Sequence, residues 1–325
     1  MENKDKPILI IDAYNIFARA YTVVPLMSSN GYHLGGTIGF IKSLSKYIEM
    51  FKPSRVIVCW EGGGSARRRK ILPEYKMNRK PIKLNRPDIY EDIPNTQENF
   101  NHQISLLTQM LSHLPVQQVY VGECEADDII GFICRYKFKG QKKMIVSMDQ
   151  DLHQLISDET LQYSPASKKI LDQNYVLNRY GTTVENFITA RCFIGDASDG
   201  IGGIKGCGFK SLIKHFPELS KEEFISVDDI IRMSRERQRI KRPLKILTSI
   251  SENSEIPKRN WRLMYLDNSN LSFEHIKKLE YSVGDYNPKK NKFGLVKDLV
   301  KEGIDMPRGL DVDRLFMRIN AYITR

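Results

Sequence analysis

The stretch ILIID at residues 8–12 decides the fold of this chain: four aliphatic residues run straight into a carboxylate. RVIVCWE at 55–61 and KMIVSMD at 143–149 repeat the pattern, and VQQVYV at 116–121 is a further strand candidate. Short unbroken apolar runs of this kind fit strands buried on both faces, as in a parallel sheet. Helical spacings lie between them. Ile38, Ile41, Leu44, Ile48 and Phe51 fall on one stripe within 36–51; Phe100, Ile104, Leu107 and Leu111 do so within 97–112, and Ile129, Ile130, Ile133 and Cys134 within 126–137. The alternation predicts an α/β fold, a mostly parallel central sheet flanked by helices. Ligands of such sheets bind beyond the carboxyl ends of the strands, where the sequence already puts Asp12, Glu61 and Asp149.

After about residue 173 the strand signals stop. Residues 174–216 read as short helices joined by the loop GDASDGIGGIKGCGFK (195–210), and 221–325 is polar, helical and basic, with RERQRIKR at 235–242. The expected organisation is an α/β core over 1–180 and a helical region over 181–325. Residues 62–96 stand apart. They carry GGGSARRRK and, among their prolines, Pro81, Pro87 and Pro94, which oppose a long continuous helix. A loop of this length in a compact domain is functional or mobile.

The chain has 325 residues, 41% of them hydrophobic and 27% charged, enough for a sizeable core in one large domain or two. No apolar run reaches 18 residues, and the N-terminus lacks a signal-peptide pattern, so no membrane association is expected. The five cysteines are scattered without a CxxC pair, which argues against a disulfide framework or zinc site and for free thiols in a reducing cytoplasm. The net charge of +11 suggests a polyanionic partner. Against that trend stands an acidic focus: Asp12, Glu61, Glu125, Asp127, Asp128, Asp149, Asp151, Asp196 and Asp199. Divalent cations reconcile the two, neutralising the acids while Lys and Arg hold a phosphate backbone.

Each acidic motif has a plainer alternative. Asp149-Gln-Asp151 suits a turn or helix cap. Glu125-Ala-Asp-Asp128 suits the first turn of a helix, although three acids in four positions exceed what a cap requires and crowding penalises their ionisation without a cation. Gly195-Asp-Ala-Ser-Asp199, followed by Gly200, Gly202, Gly203, Gly206 and Gly208, reads as a glycine turn opening a helix, whose backbone N–H groups suit a phosphate. Arg67-Arg-Arg-Lys70 with Tyr75, Lys76 and Arg79 is either a solvated basic face or a surface for stacking and phosphate contact with a single strand.

These motifs, in this order, resemble the 5′-nuclease superfamily: flap endonucleases, the 5′-nuclease domain of bacterial DNA polymerase I and phage 5′-exonucleases. LIIDAYNIFARA (9–20), VIVCWEGGGSARRRKILPEYKMNRKP (56–81), GECEADDIIG (122–131), VSMDQDLHQLI (146–156) and GDASDGIGGIKGCGFKSLIKHF (195–216) carry the resemblance. Within the family the stand-alone length is most like the ribonucleases H of T-even-type bacteriophages. The resemblance implies a first metal shell of Asp12, Glu61, Glu125 and Asp127, a second of Asp149, Asp151, Asp196 and Asp199, and Asp128 between them, acting in catalysis with Lys76 and Arg79. It implies nucleic-acid contacts at Arg19, Arg67, Arg68, Tyr75, Gly202, Gly206, Gly208 and Lys210. It also implies a helical arch over 67–103, mobile without DNA, and a helix–three-turn–helix at about 195–216 with K⁺ at the glycine loop. Glu61 departs from the pattern, since the family usually has Asp there, and Cys207 replaces a usually aliphatic residue.

The implied activity is Mg²⁺-dependent hydrolysis, 5′ to 3′, of RNA or DNA annealed to DNA, with flap cleavage and Mn²⁺ as a substitute. Two ions about 4 Å apart would flank the scissile phosphate. The implied setting is RNA-primer removal in phage lagging-strand replication, in the host cytoplasm, by a monomer. Its partners would be branched or nicked DNA, RNA–DNA hybrid, a single-strand-binding protein and a sliding clamp. The competing expectation is a structure-specific DNA-binding protein of the same fold with little catalysis, because the basic arch and glycine loop would serve it equally.

Overall fold

A computed structural model describes residues 6–79, 82, 97–240, 244–284, 289–306 and 308–323. Among the described residues there is one six-stranded sheet, of strand order β3-β2-β1-β4-β5-β6. The strands are β1 (Ile8–Asp12), β2 (Arg55–Cys59), β3 (Gln117–Val119), β4 (Lys143–Val146), β5 (Thr160–Ser164) and β6 (Lys169–Leu171). All pairs are parallel except β5–β6. The unbroken apolar runs have the expected cause. Leu9, Ile11, Val56 and Val58 face one core with Met144 and Val146, while Ile8, Ile10, Ile57, Cys59 and Ile145 face the other. Each face is covered, so neither alternation parity can be polar.

The helices of the first half are α1 (Ala13–Val23), α2 (Gly35–Phe51), α3 (Ala66–Ile71), α4 (Gln97–Leu111) and α5 (Ala126–Tyr136). α1, α2 and α4 fill the first core through Ile16, Phe17, Ile38, Ile41, Leu44 and Leu107, and α5 fills the second through Ile129, Ile130 and Ile133. The apolar stripes read from the sequence are thus the buried stripes. Strands β5 and β6 carry no such run. β5 alternates, with Tyr163 in the first core and Gln162 buried and hydrogen-bonded to the carbonyls of Ser147 (3.0 Å) and Asp149 (2.8 Å). Its polar side holds the turn that follows β4.

Beyond the sheet come α6 (Gln173–Tyr180), α7 (Val184–Ile194), α8 (Phe209–His215), α9 (Val227–Ile240), α10 (Lys245–Glu252), α11 (Glu255–Met264), α12 (Phe273–Gly284), α13 (Lys292–Lys301) and α14 (Val312–Tyr322). Helices α7 to α11 share a third core, which also takes in Leu72 and Tyr75 from the segment after α3. The cores divide the chain otherwise than at residue 180. Leu279 and Val283 of α12 join the second core, and Leu295 and Leu299 of α13 with Leu315, Phe316 and Ile319 of α14 join the first. The last fifty or so residues therefore return to the sheet, because their apolar faces find it unfinished there. His113 on Asp298 (2.9 Å) ties α13 to the end of α4.

Of the arch expected over 67–103, residues 80–81 and 83–96 lie outside the described residues, as do 241–242 of the basic segment. All five cysteines are free. Among the described residues no helix is long and apolar enough to cross a membrane.

Candidate active site

The chain steps outward from β1 to β2 and β3, then jumps back across the sheet to β4. The crevice beyond β1 and β4 is the switch point at which such sheets bind ligands. Asp12 ends β1 level with Cys59, and Ile11 pairs with Val146, so Ser147 comes to stand beside Asp12. The Ser147 hydroxyl donates to Asp12 Oδ2 (2.8 Å) and accepts from the Asp149 N–H (3.0 Å). Asp149 Oδ1 in turn accepts from the Asp151 N–H (2.8 Å), at the start of a short 3₁₀ turn, Asp151–Leu155. Asp12 also caps α1, accepting from Asn15 N–H (3.2 Å). Ser147 and Gln162 escaped the sequence reading. The only signal was a serine breaking the run KMIV, and nothing marked Gln162.

Glu61 and the acids opening α5 are brought together by two joined loops. Gly62 N–H donates to the Cys124 carbonyl and Glu123 N–H to the Gly62 carbonyl, both at 2.8 Å. A β-carbon on Gly62 would lie 1.8 Å from the Val121 oxygen, so only glycine permits the approach. Beyond them sits the segment after α3. Tyr75 donates its hydroxyl proton to Glu125 Oε2 (2.9 Å), Lys76 Nζ lies 2.7 Å from the same oxygen, and Arg79 Nη2 lies 2.7 Å from Asp199 Oδ1. Lys76 holds a left-handed backbone, φ 60°, while its N–H donates to the Asp199 carbonyl (2.9 Å). For a side-chain-bearing residue that conformation costs roughly 1–2 kcal/mol.

The nine acids sort by what neutralises them. Arg68 grips Asp128 with two hydrogen bonds of 2.7 Å and reaches Glu125 at 3.3 Å. Arg191 pairs with Asp151 (2.9 Å) and Asp196 (2.6 Å), and Arg79 with Asp199. Among the described residues no cation forms an ion pair within 4.0 Å of Asp12, Glu61, Asp127 or Asp149. The titration behaviour follows. Burial, reinforced by Asp149 and Glu61 against the Ser147 hydrogen bond, pushes Asp12 up to about 7. Burial, then Asp149 and Asp12, raise Asp127 well above the carboxylate range. Burial likewise raises Asp149, with Asp199 adding, and Glu61, with Glu125 adding against Lys76. Burial also lifts Asp151 to about 7 despite Arg191. For Glu125 and Asp128 burial pulls the same way, but Arg68 outweighs it and both fall below their usual range. Asp196 falls too, its burial overcome by Ser198 and Arg191.

An all-carboxylate set suits a hard divalent cation, and two observations fit one here. Among the described residues Asp12, Glu61, Asp127 and Asp149 are buried or half-buried without an ion pair, and Glu125 Oε1 is buried with no hydrogen-bond partner. As the side chains stand, no group of three or more Asp, Glu, His or Cys among the described residues is set to hold a metal ion. The acids nearest the basic segments face Arg68, Lys76, Arg79 and Arg191 instead.

Several expected nucleic-acid contacts change place. Arg68 is 2% exposed and Tyr75 6%, both committed to internal carboxylates. Arg68 therefore braces Asp128 rather than touching a phosphate, and Tyr75 orients Glu125 rather than stacking on a base. Asp128 has both oxygens occupied by Arg68 and the Glu125 N–H (3.0 Å), so it holds the start of α5 and does not stand free between two ions. Arg67 donates to the Arg262 carbonyl at the end of α11. The exposed cations of α3 are Arg69 and Lys70. Arg19 on α1 and Lys210 on α8 are exposed as expected.

The glycine loop joins α7 to α8 as a helix–loop–helix. A β-carbon on Gly203 would lie 1.9 Å from the Ile194 oxygen, so the loop folds back on α7 only with glycine there. At Gly202, Gly206 and Gly208 a β-carbon would meet nothing within 4 Å. The space beside those three is open, although Gly208 N–H donates to Ser211 Oγ (2.9 Å) and the Gly202 carbonyl accepts from Asn260 Nδ2 (2.9 Å); Gly206 adopts φ 86°.

This fold and this site define an α/β nuclease core. The chain belongs to the 5′-3′ exonuclease family, whose N-terminal resolvase-like domain matches residues 7–181. DNA polymerase I of Bacillus subtilis is 29% identical over 234 residues, 69% of this chain and 25% of the polymerase, so the chain spans about a quarter of that relative's length. A 5′-3′ exonuclease of Aquifex aeolicus is 24% identical over 268 residues, 73% of this chain and 88% of that protein. The bacteriophage T5 flap endonuclease, solved as a pseudo-enzyme–product complex with DNA and metal ions, superposes with a TM-score of 0.67 at 18% identity, covering 86% of this chain and 98% of that one. At that identity the likeness is one of fold.

The raised acids carry a pH prediction. An acid whose folded pKa is raised from 3.8 to about 7, as for Asp12 and Asp151, favours the folded state below 3.8 and loses that contribution as pH rises through 7. A divalent cation would remove the cost of ionising it. The difference in Tm between Mg²⁺-loaded and EDTA-treated protein should therefore widen from pH 5 to pH 8. A constant difference in differential scanning fluorimetry would contradict this.

Proposed function

We propose that this chain hydrolyses phosphodiester bonds of RNA or DNA strands annealed to DNA, working 5′ to 3′ and cleaving flaps, with Mg²⁺ required and Mn²⁺ as a substitute. The observation that carries the reading is the set of unpaired carboxylates, Asp12, Glu61, Asp127 and Asp149, at the switch point beside Lys76 and Arg79. Asp12, Glu61, Glu125 and Asp127 would hold one cation, and Asp149 and Asp151, with Asp196 and Asp199 behind them, a second. When bound, such ions supply an activated water and charge for the departing 3′ oxygen. The chain's own residues do the rest. Ser147 and Gln162 hold Asp12 and the Asp149 turn in place. Lys76 and Arg79 neutralise charge on the scissile phosphate, and Tyr75 fixes the Glu125 oxygen that Lys76 also contacts. Glu61, one methylene longer than the usual Asp, reaches the same crevice from further back.

Duplex backbone would lie along Gly202, Gly206, Gly208 and Lys210, with K⁺ at this loop. An open groove of about 620 Å³ lined by Lys205, Gly206, Lys245 and Thr248 supports that track. Arg19 would reach a phosphate from α1. The same proposal extends to removal of RNA primers from phage lagging strands by a cytoplasmic monomer, alongside a single-strand-binding protein and a sliding clamp. The test is release of short products from a 5′-labelled flap and from a matched RNA primer by purified protein. Products should appear with Mg²⁺ and vanish with EDTA; no cleavage across a range of Mg²⁺ and Mn²⁺ concentrations would overturn the proposal and favour a binding-only protein.

A further inference from the structure

Arg191 sits one turn before the glycine loop, on α7, and is 8% exposed. Its guanidinium serves four acceptor contacts. Nε (3.1 Å) and Nη2 (2.9 Å) donate to Asp151 Oδ1, Nη2 also to Asp196 Oδ2 (2.6 Å), and Nη1 to the Gly195 carbonyl (3.1 Å). The two acids come from different parts of the molecule. Asp151 belongs to the turn that follows β4, whereas Asp196 opens the glycine loop between α7 and α8. Asp196 is saturated by protein donors, since Oδ1 accepts from Ser198 N–H (2.8 Å), Ser198 hydroxyl (2.6 Å) and Asp199 N–H (3.3 Å). Asp151 is not: among the described residues its hydrogen bonds from Arg191 reach Oδ1 alone, leaving Oδ2 for another partner.

A buried ion-pair triad of this kind adds little net stability over apolar packing, because desolvation consumes the Coulombic gain. What it supplies is a fixed distance between groups that would otherwise repel. We propose that Arg191 is the positioning residue of the second acidic centre, a resident cation that holds Asp151 against Asp196 and against which any divalent cation must bind. This rests on reading Asp149, Asp151, Asp196 and Asp199 as a cation centre. The guanidinium joins the sheet-borne half of that centre to the loop-borne half in the absence of any ion. It also lowers the negative potential there, so the centre binds a divalent cation less tightly than its acid count suggests. Lysine would keep the charge but lack the planar fork with which the guanidinium meets Asp151 and Asp196 at once.

The experiment uses the full chain stripped of metal: wild type, Arg191→Gln and Arg191→Lys, titrated with Mn²⁺ while free ion is followed by EPR, and melted with and without Mg²⁺. Arg191→Gln should bind Mn²⁺ about tenfold more tightly than wild type, because a full positive charge has left the centre. It should melt lower than wild type without Mg²⁺, and Mg²⁺ should restore most of the deficit, the ion doing what the guanidinium did. Arg191→Lys should stay within about twofold of the wild-type Mn²⁺ affinity, its charge being retained. An Arg191→Gln protein with unchanged or weaker Mn²⁺ binding, or with a melting deficit that Mg²⁺ leaves untouched, overturns the proposal. If that variant folds only with Mg²⁺ present the proposal stands; if it folds in neither condition, Arg191 is purely structural and the proposal falls. Absence of Mn²⁺ binding by the wild type is a separate outcome that removes the cation centre itself.

Discussion

Asp149→Asn is expected to lower Mg²⁺-dependent cleavage by about a thousandfold while flap-DNA affinity stays within about twofold. The reason lies in what the substitution leaves alone. The Asp149 turn is held by its own backbone, through Ser147 Oγ and Gln162 Nε2, and an amide oxygen can still accept the Asp151 N–H that Oδ1 accepts now. Only the charge is lost. The metal-free variant should also be more heat-stable than wild type. Burial and the neighbouring Asp199 raise the folded pKa of Asp149, so its ionisation at neutral pH opposes folding, and asparagine removes that cost. A structural role for Asp149 would reverse the stability result, with DNA binding falling alongside cleavage. A variant retaining more than about a tenth of the wild-type rate would take Asp149 out of the chemistry. If neither protein cleaves and both bind flaps equally, the binding-only reading prevails.

Arg68→Met should cost about 3–5 kcal/mol, a fall in Tm on the order of 10 °C, the largest loss of stability foreseen for any single change here. The side chains of Arg68, Glu125 and Asp128 are only 3%, 2% and 6% exposed. Removing the guanidinium would leave a buried carboxylate pair and would also orphan the Leu263 carbonyl, which accepts from Arg68 Nε at 2.8 Å. Neutralising Asp128 as well, in the Arg68→Met/Asp128→Asn double variant, should recover part of the loss, since one buried charge goes with it. The pH dependence has a defined sign. Arg68 depresses the folded pKa values of Asp128 and Glu125 below 3.8 and 4.5. Its stabilisation is therefore present above those values and lost as pH falls through and below them. Wild type and Arg68→Met should converge in urea melts near pH 3 and separate at pH 7. A difference of less than about 1 kcal/mol at pH 7 would show the pair to be dispensable.

Much of the candidate site was legible because parallel strands must be apolar on both faces, so a carboxylate at the end of such a run stands out. Asp12 and Asp149 were found in that way, and Glu61 two residues past β2. The acids of α5 and of the glycine loop stood out by density, and only the fold shows that Asp128 turns to Arg68, Asp199 to Arg79 and Asp196 to Arg191. Arg68, Tyr75 and Asp128 were misassigned for one reason. In the sequence a charged or hydroxyl side chain looks the same whether it meets solvent or another buried charge. Arg67, Arg68, Arg69 and Lys70 form one basic run, yet the helix turns Arg68 inward and leaves Arg69 and Lys70 outside.

The division between the two kinds of information is physical. Local chemistry, the spacing of apolar residues and the termini of strands, determined the α/β class, the helix positions and the list of acids. Which acids are already neutralised depends on contacts between residues far apart in the chain: Arg68 with Asp128, Arg79 with Asp199, Arg191 with Asp151. Pairing energies at such distances come from burial and geometry, which no window of sequence contains. Tertiary structure alone therefore decided that, among the described residues, Asp12, Glu61, Asp127 and Asp149 are the acids of this focus that form no ion pair.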